Sequence, residues 1–149
     1  LKDLPIRIAS IAPSLYIFRD GIHFYVIAPV QSETIYTARM IDLTNQDTLE
    51  VAIERSREEP IVLYKHSNRC GVSSAAQERL RELSSPEDPV IYRITVQNEG
   101  DLSDRIAERL DIRHETPQVI ILDDEQPVFS ASHTNVTAEA VRAAVGRQQ

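Results

Sequence analysis

The chain of 149 residues is short of several things, and each shortage excludes a class of protein. It has a single cysteine, Cys70, so it cannot form an internal disulfide or a structural zinc site built from several thiolates. Only four glycines are present, at 21, 71, 100 and 146. Lys2 and Lys65 are the only lysines, the other basic residues being arginine, which we read as a compositional bias without functional content. Positive charge is outnumbered, 16 basic residues against 23 acidic, for a net charge of −7. No broad positive field exists to neutralise phosphates, so nucleic acid is not an expected partner. No run approaches the roughly 18 apolar residues that span a bilayer, and no membrane partner is expected. The apolar stretch from Gly21 to Ala28 contains His23 and stops at Pro29. Lys2 and Arg7 precede no uninterrupted apolar core of the kind a secretory leader needs, so the expected setting is the reducing cytoplasm.

What is present suffices for one globular domain, since 42% of the residues are hydrophobic. Composition shifts near residue 40. Residues 1–39 hold five of the eight aromatics and four basic against three acidic residues, whereas 40–149 hold twelve against twenty. The expected division is therefore a 1–39 extension and a 40–149 domain. In the extension, Leu15–Phe18 and Ile22–Ala28 flank Asp20-Gly21, a hairpin signal. An isolated hairpin is marginal in water, so this segment packs on the rest or is loosely held. The only methionine, Met40, marks the junction and is a candidate start, the preceding residues then being upstream translation.

From Met40 onward two periodicities alternate. Thr44 or Asn45 caps a helix with apolar positions Leu49, Ala52 and Ile53, ending before Pro60. Ile61–Tyr64 reads as a buried, parallel-type strand. Ala75, Ala76, Leu80 and Leu83 give a helical face, Val90–Ile94 a strand, and Leu102, Ile106, Ala107 and Leu110 another helix. Val119–Leu122 and Pro127–Phe129 flank the acidic turn Asp123-Asp124-Glu125, and a Thr137 cap opens a helix through Val141, Ala144 and Val145. This predicts a leading helix followed by β-α-β-α-β-β-α, an α/β fold with a mixed sheet, in the element order of the thioredoxin fold.

Cys70 falls where the Ile61–Tyr64 strand gives way to a helix. Free cysteines are commonly small buried hydrophobes, but a helix mouth offers unpaired N–H groups that stabilise a thiolate. Lys65, His66 and Arg69 are three potential cations within five residues, and would act in the same direction. Gly71 removes bulk where a partner sulfur must approach. Ser73 stands three residues on, where a dithiol oxidoreductase places its second cysteine, and its ordinary reading is a first-turn helix residue. A serine cannot resolve a mixed disulfide, so an adduct on Cys70 would wait for an outside thiol. Pro117, directly before a strand, is where this element order places a cis-proline, which frees neighbouring backbone groups to pair with an extended substrate.

These stretches resemble the monothiol bacilliredoxins, thioredoxin-fold proteins of the bacillithiol redox system. Lys65-His66-Ser67-Asn68-Arg69-Cys70-Gly71-Val72-Ser73 is similar to that family's KHS-x-x-C-x-x-S segment, and Ile112-Arg113-His114-Glu115-Thr116-Pro117-Gln118 to its cis-proline loop. Ser132-His133-Thr134-Asn135-Val136-Thr137 is similar to its lead into the last helix. Two departures stand out: Gly71 where the family commonly has proline, and Arg69 where it commonly has threonine. The resemblance implies a monothiol thiol–disulfide oxidoreductase that removes bacillithiol from proteins. Cys70 would be the nucleophile, with Lys65, His66, Arg69, Gly71 and Ser73 supporting it and His114, Glu115, Thr116 and Pro117 at the substrate edge. Its partners would be bacillithiol, as co-substrate rather than tightly bound cofactor, and S-bacillithiolated proteins, with the chain acting as a monomer. Taken singly, His66, His114 and His133 read first as hydrogen-bonded structural histidines; His66, four residues before Cys70, is the one with a candidate role.

Two other readings stay open. Cys70-Gly71-Val72-Ser73 also resembles the C-G-x-S monothiol glutaredoxins that carry an iron–sulfur cluster, although Val72 replaces their phenylalanine and no Gly-Gly-x-Asp precedes the last helix. A non-catalytic thioredoxin-like binding module is the third. A His66/Cys70 pair offers too few ligands for a protein-only metal centre, and helix-mouth placement disfavours a cysteine-protease arrangement.

Overall fold

The computed structural model describes residues 40–147, so the expected N-terminal hairpin and the 1–39 extension lie outside the described residues. The elements are β1 (Met40–Asp42), α1 (Gln46–Arg55), β2 (Ile61–His66), α2 (Gly71–Leu80), β3 (Ile91–Thr95), α3 (Gly100–Leu110), β4 (Gln118–Asp123), β5 (Gln126–Ser132), a 3-10 turn at His133–Asn135, and α4 (Ala138–Val145). The sheet runs β1-β3-β2-β4-β5. β1, β3 and β2 are parallel, while β4 and β5 are antiparallel. This is the mixed-sheet α/β architecture that the alternating periods predict, with one strand more than they show.

Local chemistry sets the element ends. Asn45 caps α1, its side chain accepting from Thr48 N (2.9 Å) while the Thr48 hydroxyl accepts from Asn45 N (3.3 Å). Thr137 caps α4, its hydroxyl accepting from Ala140 N (3.1 Å). The turn between β4 and β5 places Asp124 and Glu125 at φ 48 and 63, the left-handed pair that suits a two-residue hairpin.

Side chains alternate across the central strands and divide the core in two. Ile61, Leu63, Tyr92, Ile94, Ile120 and Leu122 meet α1 and α3 on one face. Val62, Tyr64, Ile91, Val119 and Ile121 meet α2 and α4 on the other. β2 is buried along its whole length because it lies at the centre of the sheet with helices on both sides.

Three expectations are corrected. A strand, β1, precedes the first helix; three half-exposed residues at a sheet edge carry no readable period. β2 continues through Lys65 and His66, two polar residues that satisfy themselves at the end of the sheet. In α2 the buried positions are Ser73, Ala76 and Leu80, with Ala75 turned to solvent, so the stripe begins on a serine that an apolar count passes over. Leu83 is buried in the turn beyond the helix.

Candidate functional site: a cysteine at the mouth of a helix

Most of the polar residues that the fold buries collect at one end of the sheet, Ser56 and Asp88 lying elsewhere. Lys65 and His66 end β2, Ser67 follows them, Gln118 opens β4, and Ser73 lies in the first turn of α2. Strand register brings them together: Lys65 pairs with Gln118 across β2 and β4, and His66 with Thr95 across β2 and β3. The carboxyl ends of parallel strands are the usual place for a site in an open α/β sheet.

Cys70 is the N-cap of α2, in extended conformation (φ −127, ψ 116), and is partly exposed. Its carbonyl accepts from Ser73 N (3.0 Å) and Ser74 N (3.2 Å), which starts the helix directly behind the thiol. The thiol pKa is lowered, chiefly by the backbone N–H of Ser73 and then that of Val72, against a smaller opposing effect of burial. The Ser73 side chain adds a lesser contribution in the same direction. Its Oγ is fully buried and has no partner at full bonding geometry, so the nearby sulfur is the group it can serve. Around Gly71 the space a Cβ would take is open.

The loop carrying Cys70 is clamped from the turn that follows β3. Gln97 donates from Nε2 to Ser67 Oγ (2.7 Å) and accepts from Asn68 N (2.9 Å), while Val96 N donates to His66 O (2.9 Å). Tyr64, wholly buried, donates its hydroxyl to Ser73 O (2.8 Å) and stands 3.1 Å from His66 Nδ1, tying β2 to the first turn of α2.

Of the three cations expected beside the thiol, one lies on the other side of the sheet and one is uncharged. Lys65 lies on the α1/α3 side of the sheet, opposite α2, wholly buried, with Nζ donating to Ser103 O (3.0 Å). Burial lowers its pKa. His66 shares the α2 side with Tyr64, but burial first, and the Arg93 guanidinium second, push its pKa down, so it is neutral near pH 7. Arg69 is exposed. The depressed thiol pKa is therefore a helix-mouth effect.

The substrate-edge residues fall on the stretch that enters β4. The Thr116–Pro117 peptide is cis. His133, in left-handed conformation at φ 56, donates its N–H to Pro117 O (2.9 Å). His114 Nδ1 lies 3.1 Å from Ser103 Oγ, and its Nε2 lies 3.4 Å from Thr116 Oγ1. Glu115 lines an open groove of about 410 Å³ with Arg113, Gln118, Ser132 and His133. The Ser132 hydroxyl first, then His133 and Arg113, lower the Glu115 pKa.

Sequence reasoning did not single out Tyr64, Gln97, Ser103 or Gln118. Tyr64 shares strand parity with His66, and Ser103 sits on the Ile106/Leu110 stripe, so both left a trace. Gln97 left none.

The comparisons agree with this arrangement. Among solved structures, a protein with a thioredoxin fold is 28% identical, with a TM-score of 0.65 over 71% of this chain and 93% of that one. Thioredoxin NaTrxh from Nicotiana alata is 14% identical, with a TM-score of 0.60 over 75% of this chain and 94% of its own. Thioredoxin f2, from a complex with ferredoxin:thioredoxin reductase, is 22% identical, with a TM-score of 0.58 over 76% and 98%. The last two establish the thioredoxin fold alone. The family model described as "Monothiol bacilliredoxin BrxC" matches residues 41–141, from β1 into α4 and across the Cys70, cis-proline and His133 stretches. With a single cysteine at the mouth of α2 and that match over about two thirds of its length, the chain belongs to the monothiol bacilliredoxin family.

Proposed function

We propose that the 40–149 domain is a monothiol thiol–disulfide oxidoreductase that removes bacillithiol from protein mixed disulfides, working in a reducing, cytoplasmic setting. One observation carries this reading: the only cysteine of the chain caps a helix whose first N–H groups lower its pKa, with a serine where a resolving thiol would stand. The Cys70 thiolate attacks the bacillithiol sulfur of the mixed disulfide. The protein–bacillithiol S–S bond breaks, a Cys70–bacillithiol S–S bond forms, and the protein sulfur leaves as a thiolate that takes a proton from solvent. A second bacillithiol thiolate then attacks the adduct, giving bacillithiol disulfide and free Cys70 thiolate. Cys70 returns unchanged, and the electron pair with which the protein sulfur leaves is made good by the second bacillithiol thiolate, the thiol that is oxidised.

Ser73 supports the thiolate and cannot compete with the outside thiol for the adduct. Thr116 fits the docking edge, since its backbone N–H and C=O bond to no other backbone group among the described residues. The test is release of bacillithiol from a model mixed disulfide, with intact mass after exposure to oxidised bacillithiol and, separately, oxidised glutathione. Cys70→Ser is expected to abolish release, Ser73→Ala to retain most of it, and the bacillithiol adduct to form in preference to the glutathione one. Unchanged release by Cys70→Ser would overturn the enzymatic reading.

A further inference from the structure

Lys65 is one of only two lysines in the chain and is wholly buried. The α3 carbonyl of Ser103 accepts from Nζ at 3.0 Å, and His114 Nδ1 lies 3.4 Å from it. No carboxylate lies within ion-pair distance of it among the described residues; Asp104 acts only through space. A buried ammonium needs acceptors, and the Nδ1 lone pair of His114 is the one side chain presents to it. Ser103 Oγ reaches the same nitrogen at 3.1 Å. Two donors sharing one lone pair explains why the lysine contact is long.

An ammonium has no lone pair to offer, so an imidazole nitrogen facing one must itself be unprotonated. In the neutral ring the proton then sits on Nε2. That nitrogen faces Thr116 Oγ1 at 3.4 Å, on the residue whose peptide bond leads into Pro117. A Thr116 oxygen that accepts from Nε2–H has its own proton free to point outward.

We propose that Lys65 is a positioning residue of the docking loop: together with Ser103 it fixes His114 in the Nε2–H tautomer, and His114 turns the Thr116 hydroxyl into a donor toward an acceptor on the bound disulfide substrate. The inference rests on reading the Cys70 site as a thiol-exchange centre. It separates two roles within one nine-residue segment. Cys70 is activated by its helix on the α2 side, and Lys65 acts through α3 and the cis-proline stretch on the other side.

The full chain labelled with ¹⁵N-histidine, followed by spectra that use the two- and three-bond ¹H–¹⁵N couplings, reads the tautomer directly. His114 is assigned by comparison with His114→Gln. The wild-type ring is expected to carry its proton on Nε2. Ser103→Ala and Lys65→Met are each expected to move it to a mixture of tautomers. Loss of one weak positioning bond should raise KM for the mixed disulfide by about three- to tenfold with kcat little changed. The pH midpoint of Cys70 alkylation should stay where it is in both variants. A wild-type ring protonated on Nδ1 overturns the proposal, and needs no variant to fold. So does a Lys65→Met protein with the wild-type tautomer and a raised alkylation midpoint, since the lysine would then act on the thiol. If the tautomer and its dependence on Ser103 hold while the wild type releases no bacillithiol, the assigned reaction fails and the hydrogen-bond relay stands.

Discussion

At residue scale the site turns on two neighbours, Cys70 and Gly71. The thiol is activated by N–H groups at Val72 and Ser73, one and two positions beyond the glycine, so Gly71 itself contributes no donor to the sulfur. As the first residue of α2 it has an N–H without an intrahelical partner. Its Cβ would meet nothing within 4 Å, and Cys70 before it already holds the extended backbone that a proline demands of its predecessor. These are conditions that suit proline at a helix start. Gly71→Pro is therefore expected to stabilise the protein by about 0.5–1 kcal/mol, mostly by restricting the unfolded chain. Thermal unfolding would show this as a rise in Tm, with the Cys70 alkylation midpoint unmoved. A fall in Tm would mean that the glycine's freedom is used in the folded state. Arg69, the other departure from the family pattern, stays exposed beside the thiol.

At the scale of elements, the tie between β2 and α2 decides where the thiol stands. Tyr64 OH has one proton, given to Ser73 O at 2.8 Å, so it accepts from His66 Nδ1. Tyr64→Phe keeps the ring and leaves His66 Nδ1–H buried without a partner. The expected cost is about 1–2 kcal/mol, read as a lower urea midpoint. An unchanged midpoint would show that water or a rearranged His66 replaces the bond. The helices themselves were largely legible, because apolar residues at helical spacing and the Asn45 and Thr137 caps are local signals. The cysteine and the loop entering β4 were legible too, as a thiol at a strand-to-helix boundary and a proline before a strand. The partners that hold them were not. Gln97 and Gln118 reach the site through strand register, which depends on pairings 30 and 53 residues apart that no local pattern encodes. The same holds for Lys65: adjacency in the chain suggests a cluster of charge with His66, while strand alternation keeps His66 on the α2 side and sends Lys65 to the α3 side. Ser73 and Ser103 mark the intermediate case. Each occupies the first turn of a helix, three and seven residues before buried apolar positions, and each faces the mouth of the site.

Across the whole molecule the resolved shifts of carboxylates, thiol, histidine and lysine share one direction, downward. Asp88 is held low by Arg142, which reaches from α4 to grip its carboxylate at 2.8 and 2.9 Å, and Glu50 is held low by Arg109. Cys70 is lowered by helix N–H groups, while His66 and Lys65 are lowered by burial. In each case the unfolded chain binds more protons than the folded one between the two pKa values, so stability rises with pH through that interval. Tyr64 is raised by burial and Arg55, Arg93 and Arg142 by their carboxylate partners, and these matter only above the ordinary phenol range. The arginines remain charged throughout. The carboxylates lose their contribution as pH falls through their depressed values, below about pH 4. His66 acts earlier: its folded pKa lies below the ordinary imidazole value of 6.5, so acidification from there charges the unfolded ring first and favours unfolding. For one proton the slope does not exceed about 1.4 kcal/mol per pH unit. Tm is accordingly expected to climb as pH rises toward about 6.5 and to go on rising more gently above it through Cys70 and Lys65, and His66→Gln to flatten the step just below 6.5 while leaving the fall at lower pH in place. A Tm that declines across this window in the wild type would mean that His66 is stabilised as a cation in the fold. The thiolate would then sit beside a charge, and helix-mouth activation would no longer suffice as the account of Cys70.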